Sequence, residues 1–239
     1  MTAASRIVIP ELLDHLAPSD PRAVRSRRDL RRVHRVMRSV SILQHAIVRL
    51  ELAAPPRRVL ELGAGDGTLM LRLAQAMQPR WPRVELTLLD RLDLISAETR
   101  AGYQRLGWSV TVLREDALDW MVAGSPTPFD LCTACLFLHH FDTDTLAKLM
   151  QAVALNANAF VACEPRRSAL ARIGSGLVGL LGANHVTRED AVTSVGAGFT
   201  ARELTALWPR LDTGWCCEEY QALPFTHCFT AVQNSARRR

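Results

Sequence analysis

Ahead of the first glycine-rich segment, apolar residues fall on one stripe. Leu30, Val33, Met37, Val40, Leu43, Ile47 and Leu50 recur at three- and four-residue spacing, which predicts one long amphipathic helix over residues 29–52. The tandem prolines of "AAPPRR" end it, because proline cannot continue a helix. The period then changes. Short apolar runs at Arg58–Leu62, Glu85–Leu89, Ser109–Leu113, Asp130–Leu136 and Ala159–Cys163 read as strands. Helical patterns follow most of them, at Gly67–Met77, Leu92–Leu106 and Thr143–Asn156. Apolar strands alternating with helices predict a parallel sheet covered on both faces.

After Glu164 the alternation breaks. A helical stretch, "SALARIGSGLVGLLG", is followed by a polar insertion, "ANHVTREDAVTSVGAGFT", and a short helix over about 201–208. Two last strands, Trp215–Ala222 and His227–Val232, are joined by "LPFT", short enough for an antiparallel hairpin. The expected organisation is an N-terminal helical cap at 1–54 and one α/β domain at 55–239, with a substrate-side insertion at about 166–200. A helix ahead of the first strand has no place inside the sheet. Residues 29–52 are therefore expected to lie as a lid over the C-terminal strand ends.

Composition narrows the class. At 239 residues and 48 % hydrophobic, the chain has material for a sizeable core and is no disordered tail. The net charge is +5 and almost wholly arginine, Lys148 being the only lysine. Arg27, Arg28, Arg31, Arg32, Arg35 and Arg38 read as the solvated side of a helix, and the terminal "ARRR" as a frayed tail. The apolar runs are too short to span a bilayer, and "MTAASRIVIPELLDH" has no apolar segment of signal-peptide length before its first acid, so a cytoplasmic protein is expected. The six cysteines read as thiols. Cys132 and Cys135 form a CxxC, but on a strand they point to opposite faces, as do Cys216 and Cys217, and Cys163 reads as core. No His/Cys cluster has zinc spacing.

The candidate chemistry begins at "VLELGAGDGTLMLRLA". Gly63, Gly65 and Gly67, with Ala64 between the first two, stand at the C-terminal end of the first strand and the mouth of a helix. Ligands of open α/β sheets bind there, and glycines let backbone N–H groups come close. The spacing G-x-G-x-G is neither the nicotinamide fingerprint nor a P-loop. Glu61 precedes it by two residues. Asp90, followed by Arg91, ends the second strand, where a carboxylate can accept both hydroxyls of a ribose. In "REDALDW", Asp116 can accept an exocyclic amine of adenine, and the Ala117 N–H can meet a ring nitrogen. "FDLCTACLFLHHF" runs a fourth strand into His139 and His140 at the same edge.

With these motifs in this order, residues 57–165 resemble the class I S-adenosylmethionine-dependent methyltransferases. The resemblance implies a three-layer sandwich around a seven-stranded, mostly parallel sheet, order 3-2-1-4-5-7-6, with strand 7 antiparallel. It implies S-adenosyl-L-methionine as cofactor, with Gly63 and Gly65 around the methionine moiety, Asp90 on the ribose, Asp116 on the adenine, and Glu61 near the loop or the amino group. "CEPRRS…VTREDAVTSVGAGFTARELTAL" resembles bacterial methyltransferases found with type III polyketide synthases, which implies a small phenolic or quinone-like acceptor, methylated on oxygen, and a place in secondary metabolism.

A phenol must lose its proton, and a histidine suits that task. His139, His140 and His185 are the candidates. The alternative for the His139–His140 pair is a packing role at a strand–helix junction. Ile173, Leu177, Leu180, Leu181 and Phe199 are expected to supply an apolar acceptor site, although such residues also simply pack a helix. Arg166 and Arg167 can bind an acidic group, but solvation is the favoured expectation. Nothing matches the three carboxylates of metal-dependent catechol methyltransferases, so no metal is expected. A methyltransferase acting on RNA or another macromolecule is the alternative, weakened because strand 4 ends in "FLHHF" rather than the [DNS]-P-P-[YFW] of enzymes acting on flipped bases. A non-catalytic cofactor-binding partner protein is the second.

Overall fold

In the computed structural model, which describes residues 5–209 and 214–238, the 29–52 stripe is two helices rather than one. Helix α1 spans Pro21–Val36 and α2 spans Ser39–Arg49. The break is Arg38, whose backbone is left-handed at φ 56°, a conformation costly for a non-glycine residue. The two parts bury different surfaces. Helix α2 puts Ile42, Leu43, Ala46 and Ile47 into the core. Helix α1 buries Ala23, Ser26 and Asp29, a small and polar seam that the apolar stripe does not announce.

The strands follow the apolar runs. They are β1 Arg58–Leu62, β2 Glu85–Asp90, β3 Ser109–Arg114, β4 Leu131–Cys135, β5 Ala159–Pro165, β6 Trp215–Ala222 and β7 Thr226–Gln233. The sheet order is β3-β2-β1-β4-β5-β7-β6, with β7 antiparallel to both neighbours, as the resemblance implied. Between them run α3 Thr68–Met77, α4 Ala97–Arg105, α5 Ala117–Ala123 and α6 Thr143–Asn156. On one face, Leu43 and Ile47 of α2, Met70 and Leu73 of α3 and Tyr103 of α4 pack on the sheet. On the other, Met121 of α5, Leu146 and Leu149 of α6, and Phe160 pack with Trp208. Burial of such side chains is worth about 1.5–3 kcal/mol each and supplies the main stabilisation.

The cysteines behave as strand geometry requires. Cys132 and Cys217 lie in one core, Cys135 and Cys216 against the other, and all six are free thiols. The carboxyl-terminal arginines depart from the frayed tail expected of them. Arg237 pairs with Glu51 at 2.7 Å and the Arg238 backbone N–H donates to the Glu51 carbonyl at 2.8 Å; Arg239 lies outside the described residues. Among the described residues, no helix is long and apolar enough to cross a membrane.

The segment 166–200 is more helical than its polar sequence suggests. It forms α7 Ala169–Gly176, a 3-10 turn Val178–Leu181 and α8 His185–Ala197, and α9 Glu203–Leu207 follows. Helix α8 packs on α1, so the cap and the insertion meet. The contact is largely polar: the Thr187 hydroxyl donates to Ser26 Oγ at 2.9 Å, and the Asn184 backbone N–H donates to Asp29 Oδ2 at 2.9 Å. Helix α1, not α2, is the part of the 29–52 prediction that reaches the glycine loop, because Arg31 pairs with Asp66 there at 2.6 Å.

Candidate active site

The glycine loop leaves β1 through three left-handed positions, Gly63 at φ 68°, Gly65 at 55° and Gly67 at 69°. Each has a different reason. A Cβ on Gly63 would stand 2.3 Å from the Phe137 ring, and one on Gly67 would stand 2.9 Å from Ile95. A Cβ on Gly65 would meet nothing within 4 Å. Gly65 is thus the glycine that borders open space, while its neighbours are held by packing. Ala64 is buried between them, its N–H donating to the Leu89 carbonyl at 3.2 Å.

Asp90 ties the second strand to this loop. Its Oδ2 accepts the Gly65 N–H at 2.8 Å, and its Oδ1 accepts the Leu92 N–H at 2.9 Å, so each oxygen keeps a further lone pair. Arg91 is exposed beside it. Asp116 caps α5 by accepting the Leu118 and Asp119 N–H groups through Oδ1, which leaves Oδ2. Ala117 is the first residue of α5, where a backbone N–H has no helical acceptor. Glu61 is 3 % exposed, and its Oε2 is a buried oxygen with no hydrogen-bond partner. Burial, with the nearby Asp66 and Asp90 charges, raises its pKa well above the usual carboxyl range.

β4 leads through Leu136, itself left-handed at φ 52°, into the 3-10 turn Leu138–His140. Glu164, at the end of β5 and fully buried, organises this turn. Its Oε1 accepts the Phe137 and Leu138 N–H groups, each at 3.0 Å, and its Oε2 accepts the His139 N–H at 3.3 Å. The same Oε2 lies 2.8 Å from His139 Nδ1. The other ring nitrogen, Nε2, faces Glu11 Oε1 at 3.4 Å, and Ser194 of α8 donates to that Glu11 oxygen. Burial alone would lower the His139 pKa, but the hydrogen bonds and charges of Glu11 and Glu164 outweigh it and hold it up at about 9. His139 is therefore an imidazolium between two carboxylates at neutral pH. His140 is its opposite: burial and the His139 charge lower its pKa, so it stays neutral, with its side chain 30 % exposed.

Glu11 belongs to a segment that sequence reading missed. Residues 6–15 cross the turn as a strap. Arg6 donates to the Phe141 carbonyl at 3.0 Å and stacks on Phe199, and the Leu12 and Leu13 N–H groups donate to Asp190 at 2.7 and 3.1 Å. Glu11 and His139 are 128 positions apart, and no local pattern joins them. The candidate ligand atoms of Glu11, His139 and His140 lie within 4.8 Å of one another, close enough to share a cation, a grouping the sequence did not lead us to expect.

Other candidates lie elsewhere. His185 is 73 % exposed and pairs with Glu189 at 2.6 Å, so the structure does not bring it to the turn. Arg167 is not solvated: its side chain is buried and pairs with Glu203 at 2.5 Å. Ile173, Leu177, Leu180 and Leu181 face solvent rather than a chamber, whereas Phe199 is fully buried.

The His139 arrangement predicts a pH dependence of stability. A folded pKa of about 9 against 6.5 unfolded means that the pair's contribution is complete below about pH 6.5 and is lost as pH rises through 9. Urea midpoints should therefore fall between pH 6.5 and 9. The His139→Gln variant should show a flatter profile over that window.

Residues 59–156 match the family model of the methyltransferase domain. No curated protein matches the chain. Among solved structures it is similar to the plantazolicin methyltransferase BamL in complex with a triazolic desmethylPZN analog and SAH, with a TM-score of 0.65 at 15 % identity over 91 % of this chain and 92 % of that one. It is also similar to an O-methyltransferase family protein from Burkholderia thailandensis, TM-score 0.61 at 16 % identity over 90 % of this chain and 60 % of that one. The pyocyanin biosynthetic protein PhzM gives a TM-score of 0.58 at 21 % identity, over 94 % and 62 % of the two chains. At these identities the likeness is one of fold. Residues 59–156 thus match a methyltransferase domain, and the fold is the one shared with these methyltransferase structures.

Proposed function

We propose that this S-adenosylmethionine-dependent methyltransferase methylates a hydroxyl of a small, largely apolar acceptor, phenolic or quinone-like, of the kind made in secondary metabolism by a polyketide synthase. The observation that carries the reading is the enclosure of the His139–His140 turn beneath the strap and α8. A turn covered in this way suits a small molecule better than a folded RNA. The names of the similar structures, an O-methyltransferase family protein and enzymes of small-product biosynthesis, support the same class.

The residues present fit the cofactor. Bound S-adenosylmethionine supplies an electrophilic methyl group on a positively charged sulfur. Glu61 is an unpaired, buried carboxyl beside two further acids, a setting that a positive ligand relieves. Gly63, Ala64, Gly65 and Gly67 form the backbone cradle, open at Gly65. Asp90 has lone pairs left for a ribose, flanked by Arg91, and Asp116 Oδ2 with the Ala117 N–H suits an adenine edge. No phosphate-binding lysine is needed for such a ligand.

His140 is the proton acceptor in this proposal, because it is neutral and partly open. His139 is the positioning residue. Held between Glu164 and Glu11, it fixes the turn that carries His140. The rest is alignment of acceptor and methyl group, which is where such enzymes gain most.

The test is turnover with labelled cofactor on a panel of phenols, with product mass reporting the methyl group. His140→Ala should lower kcat by about 10²–10⁴-fold and remove the acid limb of the pH–rate profile. A wild-type profile in that variant removes His140 as base. Turnover confined to RNA or protein overturns the acceptor class.

A further inference from the structure

The insertion carries an apolar stripe for which the methyl-transfer site has no use. Leu170, Ile173, Leu177 and Leu180 stand at i, i+3, i+7 and i+10 along α7 and the 3-10 turn that continues it, so they share one face. All four are exposed, Leu180 to 82 %. The β6–β7 hairpin extends the stripe. The Phe225 ring lies against Gly174, 2.7 Å from where a Cβ would stand, and Leu223, two residues earlier, is 76 % exposed. Soluble monomers rarely leave contiguous apolar patches beyond a few hundred Å² uncovered.

The rim of this patch is cationic. Arg25 donates to the Gly182 carbonyl at 3.4 Å, just past the 3-10 turn. Arg188 packs on Gly179, its Nε 3.1 Å from a Cβ built there, and Arg172 is exposed on α7 itself. The nearby acids are committed: Asp29 is buried against Arg32 and the Asn184 N–H, and Glu189 pairs with His185. A second copy of the chain packed face to face would set these arginines against each other, since a two-fold contact repeats the same surface. An anionic bilayer complements both features, taking leucines into the acyl boundary and guanidinium groups onto the headgroups.

We propose that the α7 face and the Leu223 hairpin tip dock the enzyme on an anionic lipid surface. The proposal goes beyond the methyl-transfer reading and stands or falls without it, because vesicle binding needs no acceptor.

The full chain is sedimented with vesicles of phosphatidylcholine alone or mixed equally with phosphatidylglycerol, at low and high salt. Wild type should pellet with the anionic vesicles, weakly with the neutral ones, and less as salt rises. Leu177→Asp with Leu180→Asp should abolish pelleting while S-adenosylmethionine affinity stays unchanged, which shows the variant folded. Arg25→Glu with Arg188→Glu should weaken anionic binding by about tenfold or more. Wild type that remains in the supernatant, or binding that survives the aspartates, overturns the proposal. A wild-type dimer that the aspartates convert to monomer, with no vesicle binding, assigns the patch to self-association and overturns it equally.

Discussion

Gly65→Val is expected to abolish S-adenosylmethionine binding in a protein that still folds. Gly65 is left-handed at φ 55° and borders open space, so a branched side chain would project into the cradle rather than into packed atoms. The backbone strain costs about 1–2 kcal/mol of stability. The blocked approach should cost affinity by more than about 100-fold, or ~2.8 kcal/mol. Gly63→Ala makes the contrast. Its Cβ would strike the Phe137 ring at 2.3 Å, so the variant should fail through a displaced 3-10 turn and a lowered melting temperature. Calorimetric titration on both variants, with circular dichroism as the folding check, separates the two. Unchanged affinity in folded Gly65→Val would remove the loop from the cofactor site.

Glu164→Ala is expected to be the most damaging single change to stability. This carboxylate is fully buried and accepts three backbone N–H groups as well as the His139 imidazolium. Removing it leaves those donors without a partner and the buried imidazolium with only the longer Glu11 contact, which typically costs about 3–5 kcal/mol. Glu164→Gln keeps the shape but lacks the charge, and turns an N–H₂ toward at least one donor, so an intermediate loss is expected. Urea unfolding of the three proteins gives the order, and the step in stability between pH 6.5 and 9 should shrink in both variants, Glu11 alone sustaining what is left. A step of wild-type size would assign the titration to another group.

The legible parts of this chain are those governed by short-range periodicity. Strand β6 and helix α6 have the bounds their patterns predict, and the glycine spacing falls on the left-handed loop after β1, whose Gly65 N–H is held by Asp90. What was not legible depends on partners far away in sequence. The apolar stripe runs without a gap through Met37 and Arg38, because it follows the helix surface and not the backbone torsion that breaks it. Helix α8 was hidden because the residues it buries mix Val186 and Val195 with Thr187 and Asp190, and those polar groups are satisfied by α1 and the strap. Glu164 stood in plain view at the end of β5. Nothing local marks it as the acceptor of a turn that lies 25 to 27 positions earlier.

The strap also sets the order in which the molecule can be assembled. Glu11 leaves the ribosome long before His139 and Ser194, which lie 128 and 183 positions later. Contacts of such separation make up the slow, high-contact-order part of folding, since loop closure comes before any gain. Residues 6–15 are thus held in reserve during synthesis, while the strands from β1 to β5 can pair as they emerge. The His139 turn is completed last, by the segment that is made first.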